Sequence, residues 1–296
     1  MERVLVTGIE GFTGRYLAAE LRAAGFEVTG TEMPRREPAT SNVYQCDLCD
    51  AKTTRAVLAE AKPDVVVHLA GIAFVGHGDV DAIYRTNVVG TSNLLEAITA
   101  CGHAPRVVLL ASSSNIYGNA ITGIIDESTP PAPANDYAVS KLAMEYMAKL
   151  WSDRLPISFV RPFNYTGVGQ STQFLLPKIV DHFKRRAGVI ELGNLNVIRD
   201  FSDVRVVVRC YRLLIESTQR GEAFNICSGV GHSLQEVITI MREVSGHDLE
   251  IVVNPAFVRS NEVHKLIGSR AKLDAAIGRV DSIPLRATLQ WMLEAD

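Results

Sequence analysis

Tyr137 and Lys141 stand four residues apart in "YAVSK", and Ser113 lies 24 residues before that tyrosine, in "ASSSNIYG". Residues four apart on a helix share a face. An ammonium beside a phenol favours the phenolate and lowers a pKa that is ordinarily about 10. A tyrosine tuned in this way can give or take a proton near neutral pH. A serine hydroxyl brought to the same place can hold the reacting oxygen. The same spacing is also that of two ordinary helix-surface residues, so the case rests on the pair's surroundings.

The first of these surroundings is "VTGIEGFTG", which sets Gly8, Gly11 and Gly14 after an apolar run and at the start of a helical pattern. A tight strand-to-helix turn wants a positive φ, a pyrophosphate must come close to the backbone, and the helix must pack tightly on the sheet. The helix N-terminus then offers unpaired N–H groups to phosphate oxygens. Glu32 closes the second apolar run and can take two ribose hydroxyls, which suits NAD; Arg35 and Arg36 follow and suit the 2′-phosphate of NADP. Asp47 ends the third run, where it can cap an adenine edge or serve as a plain turn aspartate.

The elements that must position these residues alternate. Strands are predicted at 3–8, 27–32, 43–48, 64–71, 106–113 and 157–164, and helices at 14–24, 50–61, 79–101 and 137–152. Near-continuous apolar strands separated by helices predict an α/β protein, a Rossmann-like doubly wound parallel sheet. Its ligands would lie outside the strand C-termini, which is where Ser113 falls. Past residue 164 the rhythm loosens. Helices are predicted within 174–186, 203–216 and 234–246, and a strand at 222–229. The expected organisation is a dinucleotide-binding core over 1–163, with 201–227 contributing to it. A smaller C-terminal substrate-binding cap takes 164–200 and 228–296.

The 296 residues are 47% hydrophobic and 21% charged, with a net charge of −3. This balance gives no electrostatic argument for nucleic acid or an anionic membrane as partner. No segment approaches the roughly 20 apolar residues of a membrane helix, and the opening "MERVLVTG" reads as a buried strand, so a cytoplasmic location is expected. Five cysteines, at 46, 49, 101, 210 and 227, make no disulfide framework. Cys46 and Cys49 form a C-x-x-C without a second such pair or a His pair at ligand spacing. They are read as a strand end, and no metal is expected.

Together these motifs resemble the extended short-chain dehydrogenase/reductase family, specifically its nucleotide-sugar-modifying enzymes, over nearly the whole chain. "TGIEGFTG" is similar to the family's TGxxGFxG, which adds Phe12 and Thr13 to the glycines as cofactor contacts. "HLAG" resembles its fourth-strand motif, implying Leu69, Ala70 and Gly71 along the cofactor, and "TNVVGTSNLLEA" supplies the matching Asn87. "SSSNIYG" and "YAVSK" match the catalytic motifs, with Ser113 chosen by counting back from "IYG" and with Tyr137 and Lys141 also touching the cofactor. The resemblance further implies Asp47, Leu48 and Pro162 beside the dinucleotide. "RPFNYTGVGQ" and "RDFSDV" imply Asn164 and Arg199 on the substrate, and "RSNEV" implies Arg259 and Glu262 there, with Arg259 on the diphosphate.

The family's 4,6-dehydratases resemble one another in carrying an acidic pair just after the catalytic Ser or Thr. This chain has Ser114 and Asn115 at those positions, so the acid and base for eliminating water are missing. The remaining motifs look most like the branch that reduces GDP-4-keto-6-deoxy-D-mannose, giving GDP-D-rhamnose or GDP-6-deoxy-D-talose. UDP-sugar 4-epimerases are the nearest alternative, and a non-enzymatic dinucleotide sensor is an alternative of another kind. A nucleotide-diphosphate sugar as substrate, NAD or NADP as cofactor and a homodimer are what the resemblance implies.

Overall fold

In the computed structural model, which describes residues 1–35, 41–73, 78–118, 123–257 and 264–295, the chain forms two units. The first takes 1–116, 133–161 and 208–224, and the second takes 117–132, 162–207 and 225–296.

A seven-stranded sheet runs in the order Ala223–Ile226, Ile157–Pro162, Val107–Ala111, Val65–His68, Arg3–Thr7, Glu27–Glu32, Val43–Gln45. Strand pairing from Ile157–Pro162 across to Val43–Gln45 is parallel throughout. Val4, Leu5, Val6, Val65, Val66, Val67 and Val108 are all fully buried. Strands covered on both faces need apolar side chains in both directions, which is why these runs do not alternate. Leu5, Val66, Val108 and Leu110 pack with Leu58, Leu94, Leu95, Ile98 and Met144 from three helices.

Register sets the functional edge. Thr7 pairs with Thr31 on one side and with His68 on the other, and His68 pairs with Leu110. The glycine loop, Glu32, the 69–72 segment and Ser113 therefore all leave the sheet at one edge. Strand order reverses at Arg3–Thr7, where open sheets of this kind make their ligand crevice.

Two predicted elements come out divided. The single helix expected over 79–101 is an α-helix Val80–Tyr84, a π-helical turn Arg85–Gly90 and an α-helix Thr91–Ala100. Such widened turns concentrate at functional sites, and this one carries the fully buried Asn87. The strand expected over 157–164 ends at Pro162, which has no N–H to continue a ladder. Asn164–Thr166 pairs instead with Ile198–Asp203.

The second unit has its own core of Leu176, Ile179, Phe183, Phe201, Val237, Ile238, Met241 and Leu289. Its helix Leu234–Ser245 starts with a reciprocal cap between Ser233 and Glu236 and ends at Gly246, whose φ of 60° only glycine adopts freely. Short strands at Gly231–Ser233, Lys265–Gly268 and Ile124–Ile125 extend the sheet around Ile198–Asp203. Asp200, fully buried there, accepts hydrogen bonds from Ser228, Gly229 and Gly268. Burial raises its pKa against those bonds. Among the described residues no helix is long and apolar enough to cross a membrane.

Candidate active site

The glycine loop closes tightly. Gly8, at φ +71°, and Ile9 both donate backbone N–H to the Thr31 carbonyl, and Gly11 N–H donates to the Gly8 carbonyl. A Cβ on Gly14 would stand 2.2 Å from the Gly8 oxygen, and one on Gly11 would stand 3.1 Å from it. Gly11 caps the helix Phe12–Ala23 without any side-chain hydrogen bond. Phe12 and Tyr16 pack edge to face within that helix. Gly30, which sequence reasoning did not single out, belongs to the same device. Its Cβ would lie 2.4 Å from the Ile9 Cβ, so a side chain there would displace the loop.

Glu32 is nearly buried, beside Arg35 at 3.5 Å, and its Oε2 has no hydrogen-bond partner among the described residues. A carboxylate oxygen without a hydrogen bond at a buried strand end, a cradle that any Cβ would fill and a helix N-terminus without a side-chain cap fit a dinucleotide's ribose and pyrophosphate. Arg36 lies outside the described residues. Asp47 receives the Cys49 N–H in a turn, and the Leu48 carbonyl receives Asn93 Nδ2. Burial raises the thiol pKa of both Cys46 and Cys49. Among the described residues no three His, Cys, Asp or Glu side chains gather as metal ligands.

Beside the glycine loop a buried chain of hydrogen bonds runs into the helix Asp136–Lys149. The Ala70 N–H donates to Thr7 Oγ, which meets His68 Nδ1 at 2.7 Å. His68 Nε2 lies 2.8 Å from Thr91 Oγ, which donates to the Asn87 carbonyl. The Thr91 proton is thus committed, so His68 donates from Nε2 and accepts at Nδ1. The Asn87 side chain accepts from Ile72 N–H and donates to the Ile72 carbonyl and to Ser140 Oγ. Ser140 in turn donates to the Tyr137 carbonyl. All of Asn87's side-chain polar atoms are thus spent on protein groups, so it braces the 69–72 segment against the helix. His68, a buried strand-end histidine passed over in favour of its neighbours Leu69, Ala70 and Gly71, is the hub.

Burial, reinforced by the Lys141 charge, holds the His68 pKa down at about 3 against an ordinary 6.5. The folded chain keeps this ring neutral where the unfolded chain protonates it. Stability therefore falls as pH drops below 6.5, by about 1.4 kcal/mol per unit for this group. Urea unfolding at pH 7 and pH 5 checks this. The native protein should lose about 2 kcal/mol more across that interval than His68→Gln, which has no proton to take up.

Asn135 caps the helix Asp136–Lys149 by accepting the Ala138 N–H. Tyr137 and Lys141 are both buried on it. Lys141 Nζ donates at 2.9 Å to the carbonyl of Ala111, two residues before Ser113. A Cβ on Gly71 would stand 3.2 Å from Nζ and 2.8 Å from Asn87 Oδ1, so the 69–72 segment also reaches this point. Burial lowers the Lys141 pKa to about 8, with Glu145 opposing the shift. Ser113 Oγ accepts from the Asn115 backbone N–H and from its Nδ2, both at 3.1 Å. With its lone pairs engaged, that hydroxyl keeps its own proton to donate. Asn115, at a position where the dehydratases carry a carboxylate, here holds the serine hydroxyl instead.

In the second unit Pro162 ends its strand, and Asn164, exposed, reaches the Asp200 carbonyl through Nδ2 at 3.5 Å. Arg199 donates to the carbonyls of Ile198 and His264. Arg259 and Glu262 lie outside the described residues.

A glycine cradle at the head of a parallel sheet, together with a tyrosine and a lysine on one helix face, defines a dinucleotide-dependent oxidoreductase class. Residues 4–227 match the model of the NAD dependent epimerase/dehydratase family, and the chain belongs to that family. It is an enzyme of the extended short-chain dehydrogenase/reductase type, with a nicotinamide dinucleotide as its cofactor. It is 37% identical to GDP-6-deoxy-D-talose 4-dehydrogenase of Aggregatibacter actinomycetemcomitans, over 93% of this chain and 91% of that protein. It is 32% identical to GDP-6-deoxy-D-mannose reductase of Pseudomonas aeruginosa, over 99% and 96%. The solved structure of RMD from Pseudomonas aeruginosa complexed with NADPH superposes with a TM-score of 0.87, at 32% identity, over 99% of this chain and 98% of that one.

Proposed function

We propose that the chain reduces the C4 keto group of a GDP-linked 4-keto-6-deoxyhexose, with GDP-4-keto-6-deoxy-D-mannose as substrate. The observation that carries this reading is the placement of Lys141. Its ammonium is buried, lies one helical turn from Tyr137, and is bonded to the end of the strand that leads to Ser113. The two relatives named for GDP-6-deoxyhexose chemistry support the substrate class.

The reduced nicotinamide, when bound, supplies the hydride to C4. Tyr137 gives its phenolic proton to the C4 oxygen as charge develops there. Ser113 donates a hydrogen bond to the same oxygen, its lone pairs being held by Asn115. Lys141 keeps a positive charge next to the phenol and holds the nicotinamide ribose. Arg199 and Arg259 bind the diphosphate, and Asn164 and Glu262 complete the substrate side, so binding energy remote from C4 orients the sugar. Glu32 offers an acceptor for a ribose hydroxyl and Arg35 a cation for a 2′-phosphate, so both NADH and NADPH suit the loop.

The test is oxidation of NADH and of NADPH with freshly made GDP-4-keto-6-deoxy-D-mannose, with NMR of the product to separate GDP-D-rhamnose from GDP-6-deoxy-D-talose. Rapid oxidation supports the reading. NAD held tightly through purification, with UDP-hexoses interconverted at C4 without added cofactor, would replace it with a 4-epimerase. The homodimer is part of the same reading. Val89, Val139, Tyr146 and Leu150 are exposed apolar side chains on or beside the two helices that the family pairs between copies. Sedimentation equilibrium should then return twice the chain mass of 32.3 kDa, and the single mass would contradict it.

A further inference from the structure

Glu145 is a buried carboxylate for which the reaction set out above has no use. It stands one helical turn past Lys141, is 1% exposed, and has both oxygens held by Arg161, from Nε at 2.9 Å and Nη2 at 2.7 Å. A buried ion pair stabilises a fold little more than apolar side chains of similar volume, so stability alone does not account for it. Its position does. Arg161 follows Val160, the register partner of Ala111, and Ala111 is the residue whose carbonyl takes the Lys141 ammonium. Ammonium, carboxylate and guanidinium thus share one dry region, where charges act strongly on each other.

Burial lowers the Lys141 pKa, and the Glu145 anion, one helical turn away, works against this. Among the described residues, the other elements around Lys141 supply no second anion. The Val65–His68 strand presents His68, which is neutral, and the π-helical turn presents Asn87. The Val107–Ala111 strand presents a carbonyl, and the Ile157–Pro162 strand presents Arg161, already bound to Glu145. Tyr137 stands one turn before Lys141 on the same helix.

We propose that Glu145, fixed by Arg161, is a positioning residue that holds Lys141 in its charged form through neutral pH. This rests on the role given to Lys141 above. Arg161 sets the carboxylate's orientation, and the carboxylate sets how far alkaline the ammonium persists.

The test is the titration of Lys141 itself, by NMR of protein carrying isotope-labelled lysine, with Lys141→Met assigning the resonance. In Glu145→Gln the Lys141 midpoint should fall by about one pH unit from that of the native protein. The alkaline limb of kcat/KM for ketosugar reduction should move with it. Because Glu145→Gln leaves Arg161 buried against a neutral partner, the pair Glu145→Leu with Arg161→Met is made alongside. That variant should regain stability and keep the lowered midpoint, which a merely structural role would not produce. An unchanged Lys141 midpoint in the variants overturns the proposal. A lowered midpoint with an unmoved alkaline limb upholds it and removes Lys141 from the reaction, so the two readings fail separately.

Discussion

Tyr137→Phe should lower kcat for ketosugar reduction by about a thousandfold while the dinucleotide still binds. The substitution removes one oxygen from a ring that is otherwise retained in a buried place at the head of its helix. Lys141 keeps its bond to the Ala111 carbonyl, Ser113 keeps its two bonds from Asn115, and the glycine loop is not involved. What disappears is the proposed proton donor to the C4 oxygen. Positioned proton transfer contributes between about a hundredfold and ten-thousandfold, so the loss should fall in kcat and leave KM close to native. Single-turnover rates with saturating cofactor, beside a fluorescence titration of NADH and NADPH, separate the two. A fall smaller than about tenfold would mean that water or another group protonates the oxygen.

Gly14→Ala should cost the protein its dinucleotide, with affinity falling at least about a hundredfold, or about 2.7 kcal/mol. On intrinsic preference alone the change should help, since alanine gains about 1 kcal/mol over glycine inside a helix. Packing decides otherwise. The new methyl would lie 2.2 Å from the Gly8 carbonyl oxygen and 2.6 Å from that of Ile9. Both obstacles are backbone atoms of the loop, so no rotamer change relieves the contact, and the loop must open. Opening it breaks the bonds from Gly8 and Ile9 to the Thr31 carbonyl that shape the cradle. Gly188→Ala is the matched control, because nothing lies within 4 Å of its added Cβ. Equal affinities in the two variants would show that the loop yields at little cost.

The parts of the fold that the sequence discloses are those encoded by local runs. Uninterrupted valines and leucines mark the parallel strands, and the glycine loop stands between strand and helix as its function requires. Tyr137 and Lys141 are legible because one helical turn is a local distance. The contacts that depend on distant pairing are not. Arg161 meets Glu145 only because a strand and a helix pack together, and His68 becomes a hub only once Thr7 and Thr91 arrive on either side of it. Gly30 looks like an ordinary strand glycine until Ile9 is laid against it. The π-helical turn hides inside an apolar periodicity that is equally good for an unbroken helix, and it carries the buried Asn87 side chain that reaches Ile72. Pro162 is a local break with a remote consequence, since its strand's successor, Asn164–Thr166, joins a different sheet.

The central claim is that hydride passes to C4 of a keto sugar and leaves as part of the product. NADH and NADPH carrying deuterium at the transferable position test it directly, with GDP-4-keto-6-deoxy-D-mannose as acceptor and NMR of the GDP-sugar formed. The account predicts one deuterium at C4, on a single face, in step with cofactor oxidation, and its loss in Tyr137→Phe. A product without deuterium, or turnover of a nucleotide sugar with no net consumption of the cofactor, would contradict it.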